Sequence, residues 1–341
     1  MCDLSIVVPV YNAENYISRT VELLLTQKGI SFEIILVNDG SVDHSAELCD
    51  NLAVQDDRIR CFHIENGGPG RARNYGISVA EGSYIAFCDS DDLPAENMYG
   101  VLCEILDEHN VDYCMCDIFT ERDNRNYGFP WKGNQKFSGR EVIDIVLASM
   151  LGNPGDDDVE NPVWGSSVRS IYKKEILNGY SVSFPEDIRF AEDLVFNARY
   201  LVHCKSVYVL DQVLYRYTWN KDSLMNSYVA YRANMLQERL RLVHYLQEVI
   251  IPMDEKGALQ NRLATSSRCY FHECVGNAAR AASQKGVLFT YKEIKKILDT
   301  SEVRNAYKTL DVHNPKKKLL YGMIQRKYAC LLTAYYVVRL K

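Results

Sequence analysis

An α/β fold, built on a mostly parallel sheet and followed by a helical C-terminal region, is predicted by three features of the chain. Short apolar runs alternate with helical patterns through the first 120 residues, the connections between them are short, and from Tyr228 onward helical periodicity takes over. Leu4–Val10 is a continuous apolar run of the kind a strand buried on both faces needs. Ala13–Gln27 then sets Ile17, Val21, Leu24 and Leu25 on one helical face. A strand at Glu33–Val37 follows, and a helix at Asp43–Val54 with Asp43 as its N-cap. Strand Ile59–Ile64, helix Gly70–Ala80, strand Tyr84–Cys88, helix Glu96–His109 and strand Val111–Ile118 complete the alternation. Residues 119–163 read as irregular, with Gly152–Asn161 as a surface loop. Helices are expected at Tyr231–Ile250, Lys256–Lys285, Tyr291–Leu298 and Lys318–Leu340. The division predicted is residues 1–227, as a nucleotide-binding half (1–118) and an acceptor half (119–227), then a helical region 228–341.

Composition narrows the class. With 341 residues, 47% hydrophobic and 25% charged, the chain is that of an ordinary globular protein with a sizeable core. A net charge of -6 gives no reason to expect nucleic acid as a partner. The charge is uneven: Lys316–Lys341 holds seven basic residues and no acidic one, leaving -13 on residues 1–315. The eleven cysteines are scattered, and Cys114 and Cys116 fit neither a zinc knuckle nor a thioredoxin motif. Without a basic n-region or an apolar run of eighteen residues, a reducing, cytoplasmic location is expected.

In open α/β sheets ligands bind outside the carboxyl ends of the strands. That rule singles out Pro9–Glu14, Asn38–Asp43 and Asp89–Asp92, each polar and each just after a strand. The usual phosphate loops are absent: Gly67-Gly68-Pro69-Gly70 does not fit the dinucleotide fingerprint, and no Walker-type Gly-Lys-Ser/Thr occurs. In Asp89-Ser90-Asp91, residues two apart on extended chain point the same way, so both carboxylates can face one ligand. Two hard oxygen donors suit Mg²⁺ or Mn²⁺ on a diphosphate; the other reading is an acidic turn capping the next helix. Glu192-Asp193 precedes an apolar helical stretch, where it either enriches a helix N-terminus in negative charge or supplies a reacting carboxylate.

Leu4-Ser-Ile-Val-Val-Pro-Val-Tyr-Asn12 with Glu14, Glu33-Ile-Ile-Leu-Val-Asn-Asp-Gly-Ser41 with Asp43, Asn66-Gly-Gly-Pro-Gly-Arg-Ala-Arg-Asn74 with Gly76, and Phe87-Cys-Asp-Ser-Asp-Asp92 stand in order along the chain. Together they resemble the consecutive motifs of family 2 glycosyltransferases, over roughly residues 4–220. The resemblance implies a GT-A fold and inverting transfer of a sugar from a nucleotide-sugar, read here as UDP-linked, to a hydroxyl of a glycan or lipid-linked saccharide. It implies that Pro9, Tyr11, Asn12 and Glu14 line the base and ribose pocket and that Asp39 accepts a hydrogen bond from the base. An acidic acceptor favours uracil, whose N3 carries a proton, over cytosine. Arg73 would approach the diphosphate or donor sugar, its fork of donors suiting phosphate. Asp89, with Ser90 beside it, would contact ribose or a metal-bound water, and Asp91, with Asp89, would hold Mn²⁺ or Mg²⁺. Asp193 would be the general base, with Glu192 orienting it or binding acceptor.

Val163-Trp164-Gly165 through Arg169–Ile176 resembles the family's Trp-x-Lys-Leu-Tyr-Lys segment, with Arg169 where Lys is more usual. Trp164 either stacks on a sugar ring or belongs to the core. Val213–Tyr217 with Ser223-Leu-Met resembles the segment that borders the diphosphate; Lys221 is a candidate phosphate contact, and 219–227 a candidate lid. No His lies in 218–227 to serve as the further metal ligand some members carry. The basic tail 316–341 is either an amphipathic helix on an anionic membrane surface or a terminal helix packed on the body or on a second subunit, as in a homo-oligomer. Two rival functions remain: a non-catalytic nucleotide- or glycan-binding protein of the same fold, and a sugar-1-phosphate nucleotidyltransferase. The latter class has a Gly-rich basic loop where this chain has Pro9-Val-Tyr-Asn12.

Overall fold

The computed structural model describes residues 3–152, 163, 165–220, 231–308 and 314–339. Trp164, Lys221, residues 221–227 of the expected lid and all but Gly152 of the Gly152–Asn161 loop lie outside the described residues. The described residues fall into two compact units, one within Met1–Leu147 and Val163–Asn220, the other within Ala148–Pro162 and Lys221–Lys341.

The first unit is a sheet with helices on it. Its strands are β1 (Leu4–Val10), β2 (Phe32–Asp39), β3 (Ile59–Ile64), β4 (Tyr84–Phe87), β5 (Leu93–Pro94), β6 (Tyr113–Thr120), β7 (Arg125–Asn126), β8 (Gln135–Ser138), β9 (Ser170–Lys173) and β10 (Ser206–Tyr217). The order is β3-β2-β1-β4-β9-β6-β10-β5, with β7 on β6 and β8 on β10. The β3-β2-β1-β4 half is wholly parallel, as are β6 and β10, while β9 runs antiparallel between β4 and β6. The helices α1 (Ile17–Leu25), α2 (Ser45–Gln55), α3 (Pro69–Val79) and α4 (Met98–Glu108) alternate with the first strands as βαβ units require. The apolar runs of β1 and β2 are buried throughout their lengths apart from a part-buried Pro9, which is why they lack strand alternation. Gly76 lets α3 lie directly on β1: a Cβ there would come within 2.2 Å of Val7 Cγ1.

Three expectations need correction. Asp43 is not the N-cap of α2, which begins at Ser45; its carboxylate instead accepts from Ser45 N at 3.0 Å inside the preceding turn. Residues 119–163 are not irregular throughout: β7, β8, a π-helix at Val142–Leu147 and α5 (Ala148–Leu151) lie there. The tail is not one helix from Lys318 to Leu340 but two, α13 (Pro315–Gln325) and α14 (Ala329–Arg339).

The first unit ends with α6 (Lys174–Gly179), α7 (Glu192–Leu201) and β10. The second adds α8 (Met235–Ile250), α9 (Ala258–Arg280), α10 (Ala282–Lys285), α11 (Val287–Asp299), α12 (Ser301–Ala306), α13 (Pro315–Gln325) and α14 (Ala329–Arg339) to α5. Its core gathers Leu236, Phe271, Val275, Ile294, Tyr307, Tyr321 and Leu332. The break between α13 and α14 falls at Lys327, held at φ 58 with no Gly or Pro to announce it. Leu320, Tyr321, Ile324 and Leu332 of the tail are buried in this helical core, while Leu319, Leu331 and Val338 are exposed.

Candidate active site

The loops after β1, β2 and β4 meet at the carboxyl edge of the parallel half. After β1, Asn12 sits at φ 50, a conformation Asn tolerates better than most residues. Its Oδ1 accepts from Val42 N at 2.9 Å, and its own N–H donates to Ser41 Oγ at 3.1 Å. Glu14 accepts from His44 N at 3.0 Å. These bonds stitch the two loops together and leave Tyr11 nearly half exposed above them, with Pro9 partly buried beneath.

Asp39, at the end of β2, is buried. Its two carboxylate oxygens each accept a backbone N–H, from Gly67 at 2.8 Å and from Gly68 at 2.8 Å, and Asn66 Nδ2 donates to its carbonyl at 2.8 Å. Burial raises its pKa above the usual carboxylate range, against those two N–H donors and the charges of Arg189 and Arg71. Gly68, at φ 92, makes the turn into α3 from which these donors point.

Arg73 on α3 is the hub of the site. Its guanidinium is buried and reaches Asp89 Oδ1 at 2.8 Å, Glu192 Oε1 at 3.0 Å and Asp193 Oδ1 at 3.2 Å. Residues 16 and 120 positions away along the chain are thereby gathered on one cation. Burial alone would lower the Arg73 pKa; the charges of Asp193, Asp89 and Glu192 outweigh it and hold the cation firmly protonated. Arg73 Nε is buried without a partner among the described residues.

Asp193 has a second pair of partners, Ser167 N at 3.2 Å and Ser167 Oγ at 2.9 Å. Its pKa is raised by burial and by the Asp89 charge, against the pull of Arg73 and the Ser167 donors. Glu192 is pushed up to about 7 by burial first and the Asp193 charge second. Ala191, which turns the chain into α7, stands at φ 59, left-handed backbone in a residue that is not glycine.

The acidic run after β4 is pinned by the end of β10. Asp92 is buried and accepts from Tyr215 OH at 2.8 Å and Thr218 N at 2.9 Å, while Asp89 N donates to Tyr215 OH at 3.2 Å. Asp91 Oδ2 accepts from Asn220 Nδ2 at 3.1 Å, and Asn220 Oδ1 accepts from Tyr16 OH at 2.9 Å. Ser90 contributes its carbonyl, which accepts from Thr20 Oγ1 at 3.0 Å. Burial, then the Asp89 charge, raises Asp91; the same two causes raise Asp92 much further. Such crowding of like charge is what a divalent cation would relieve. Asp91, with one oxygen bonded to Asn220, and Asp89, with one oxygen on Arg73, have the donor set for it.

The sequence profile described as glycosyl transferase family 2 matches residues 5–149. A glycosyltransferase of Streptococcus pneumoniae serotype 4, GlyG, is 34% identical over 225 residues, 66% of this chain and 73% of GlyG. The chain belongs to glycosyl transferase family 2. An uncharacterized glycosyltransferase of Bacillus subtilis, EpsJ, is 36% identical over 222 residues, 65% of this chain, and the match spans 62% of EpsJ. Among solved structures, S. aureus TarS 1–349 in complex with UDP-GlcNAc superposes with a TM-score of 0.69 at 20% identity, covering 97% of this chain and 89% of that one. The mannosyltransferase PcManGT of Pyrobaculum calidifontis, in complex with GDP-Man and Mn²⁺, does so at 0.52 and 15%, covering 99% and 89%. These two likenesses establish a shared fold, the GT-A fold expected from the sequence.

In this family 2 glycosyltransferase the structure brings Arg73, Asp89, Glu192 and Asp193 together, with Asp91 beside Asp89, while Pro9, Tyr11, Asn12, Glu14 and Asp39 frame the neighbouring loops. Arg73 is already engaged by carboxylates, which sequence reasoning did not foresee. Ser167 and Asn220 were also missed: each is a small neutral residue whose role comes only from the carboxylate it meets. Arg169 is wholly buried, donating to Cys116 O at 2.5 Å beside Asp117 and over the Phe129 ring, so it is a core residue in this chain.

Proposed function

We propose that this glycosyltransferase transfers a sugar, with inversion, from a UDP-sugar to a hydroxyl of a glycan or lipid-linked saccharide, with Asp193 as general base. The observation that carries the reading is the shared guanidinium: Asp89 on the donor side and Asp193 on the acceptor side are both bound by Arg73. A proton acceptor for an incoming alcohol and a diphosphate-side carboxylate thus lie one guanidinium apart, as single displacement at an anomeric carbon requires. The donor's base and ribose would lie over Pro9, Tyr11, Asn12 and Glu14, with Asp39 accepting from uracil N3–H on lone pairs its backbone bonds leave free. Mn²⁺ or Mg²⁺ held by Asp91 and Asp89 would supply charge neutralisation on the departing diphosphate. TarS in complex with UDP-GlcNAc and PcManGT in complex with Mn²⁺ support the donor and the cation by shared fold. Arg73 holds Asp193 and Glu192 in place.

Release of UDP from a panel of UDP-sugars with Mn²⁺ tests this, run beside Asp91→Ala and Asp193→Ala. The first variant is expected to lose metal-dependent donor use, the second to keep donor binding and lose transfer. Equal activity of Asp193→Ala and the parent would refute the assignment of the base. No helix among the described residues is long and apolar enough to cross a membrane. A lipid-linked acceptor would therefore be met at a surface, for which exposed Lys316, Lys318, Arg326 and Lys327 with Leu319, Leu331 and Val338 are the basic and apolar candidates. Flotation with anionic liposomes, with and without residues 316–341, decides that part; identical flotation removes it.

A further inference from the structure

β3 is the edge strand of the sheet, and Cys61 and His63, two apart on it, meet α2 on the same side. His63 Nε2 lies 3.0 Å from Asp50 Oδ1 and 3.6 Å from Cys61 Sγ. The ligand atoms of Asp50, Cys61 and His63 all fall within 4.8 Å of one another, the one such group of three found among the described residues. The carboxylates of the candidate active site form no such group, and they offer oxygen alone. A thiol, an imidazole and a carboxylate form a different donor set, suited to Zn²⁺ and its borderline-soft neighbours rather than to Mg²⁺ or Mn²⁺. Asp50 and His63 are open to solvent and Cys61 partly so, which gives an ion a way in.

The hydrogen bonds behind His63 determine what an ion there would do. Asn38 Oδ1 accepts from the backbone N–H of Ser41 at 3.1 Å, so the other end of that amide, Nδ2, is the end that faces His63 Nδ1 at 3.0 Å. The ring therefore accepts at Nδ1 and carries its proton on Nε2, directed at Asp50. An ion on Nε2 displaces that proton, and the neutral ring then carries its hydrogen on Nδ1, against the Asn38 NH₂. Two donors then oppose each other. Turning the Asn38 amide to relieve them would set its NH₂ against Ser41 N–H instead, so neither orientation satisfies all the donors. Ser41 Oγ holds Asn12 N at 3.1 Å, and Asn12 Oδ1 holds Val42 N at 2.9 Å. The frustrated bond thus lies at the root of the loop that carries Asp39 and is bonded to Asn12.

We propose that Asp50, Cys61 and His63 bind Zn²⁺ or a cation of its class, and that its occupation weakens nucleotide binding by disturbing the Asn38–Val42 loop. Cys61 binds as the thiolate and gives its proton to solvent. By linkage, nucleotide weakens Zn²⁺ by the same factor. The coupling rests on the nucleotide pocket proposed above; the metal site does not.

Titration of the tag-free full chain with Zn²⁺, against a chromophoric chelator and with a non-thiol reductant present, reads the site directly. Cys61→Ser should bind Zn²⁺ at least about 10-fold more weakly than the parent, a loss that even outer-shell changes at metal sites reach. Equal Zn²⁺ affinity in the two proteins overturns the site. UDP affinity measured with Mn²⁺, with and without Zn²⁺, reads the coupling: Zn²⁺ should weaken UDP binding to the parent and leave Cys61→Ser unchanged. Unchanged UDP affinity in the parent, or the same loss in both proteins, overturns the coupling. Failure of UDP to bind either protein under any condition counts against the proposed donor, while the first titration still decides the site.

Discussion

In the sheet unit one buried cation gathers three carboxylates: Arg73 meets Asp89, Glu192 and Asp193 at 2.8 to 3.2 Å. In the helical unit the buried arginines are each served locally, Arg239 by Glu273 at 2.9 Å and Arg268 by the Thr265 hydroxyl at 3.1 Å, around an apolar core. The first arrangement holds more negative charge than its own stability calls for, since burial and mutual repulsion raise Glu192, Asp193 and Asp91. The second has no such excess. Repulsion among buried carboxylates marks the place where a ligand is expected, whereas a buried arginine held by a local partner is part of the packing.

Changes on the two sides should therefore separate activity from stability. Asp193→Asn is expected to lower kcat by about 10²–10⁴-fold, the range of a lost general base, with little change in the unfolding midpoint. Phe271→Ala, in the helical core, should do the reverse: about 3–5 kcal/mol less stability by denaturant titration, with activity per folded molecule retained. Loss of activity in folded Phe271→Ala would break the contrast. Ser167→Ala removes one donor to Asp193 and should cost about 1–2 kcal/mol of transition-state stabilisation, roughly 10-fold in kcat, while the acid limb of the pH profile moves up.

The pH dependence carries a sign. In the folded protein Glu192 keeps its proton up to about 7, against the ordinary value of 4.5 expected of the unfolded chain. Between those values the folded state binds more protons, so this group's contribution to stability falls as pH rises from 4.5 to about 7. Midpoints measured across that window should decline in the parent and decline less in Glu192→Gln. The smallest effect is expected at Ala191: glycine suits φ 59, and Ala191→Gly should gain about 0.5–1 kcal/mol by denaturant titration without shifting kcat.

Much of the fold was legible because burial writes itself into sequence. β1 falls where its apolar run lies, Leu4–Val10, and β3 matches the expected Ile59–Ile64. Elements shaped by tertiary contact were harder to read. The π-helix at Val142–Leu147 follows a stretch rich in Gly and Asn, and the break at Lys327 has no residue that demands it. The site shows the same limit. Asp89, Asp91 and Asp193 stand out as acidic residues in a recognisable order, but a charge pattern does not say which cation they share. Ser167 and Asn220 gain their roles only from distances, and the engagement of Arg73 by three carboxylates could not be read from its position on a helix.

The central claim is a division of labour between carboxylates on one guanidinium, and equilibrium binding of UDP tests it most directly. By calorimetry, Asp193→Asn should bind UDP in the presence of Mn²⁺ as the parent does, while Asp91→Asn should lose the Mn²⁺-dependent part of the affinity. If Asp193→Asn loses that part as well, or Asp91→Asn keeps it, the roles assigned to these two residues are wrong.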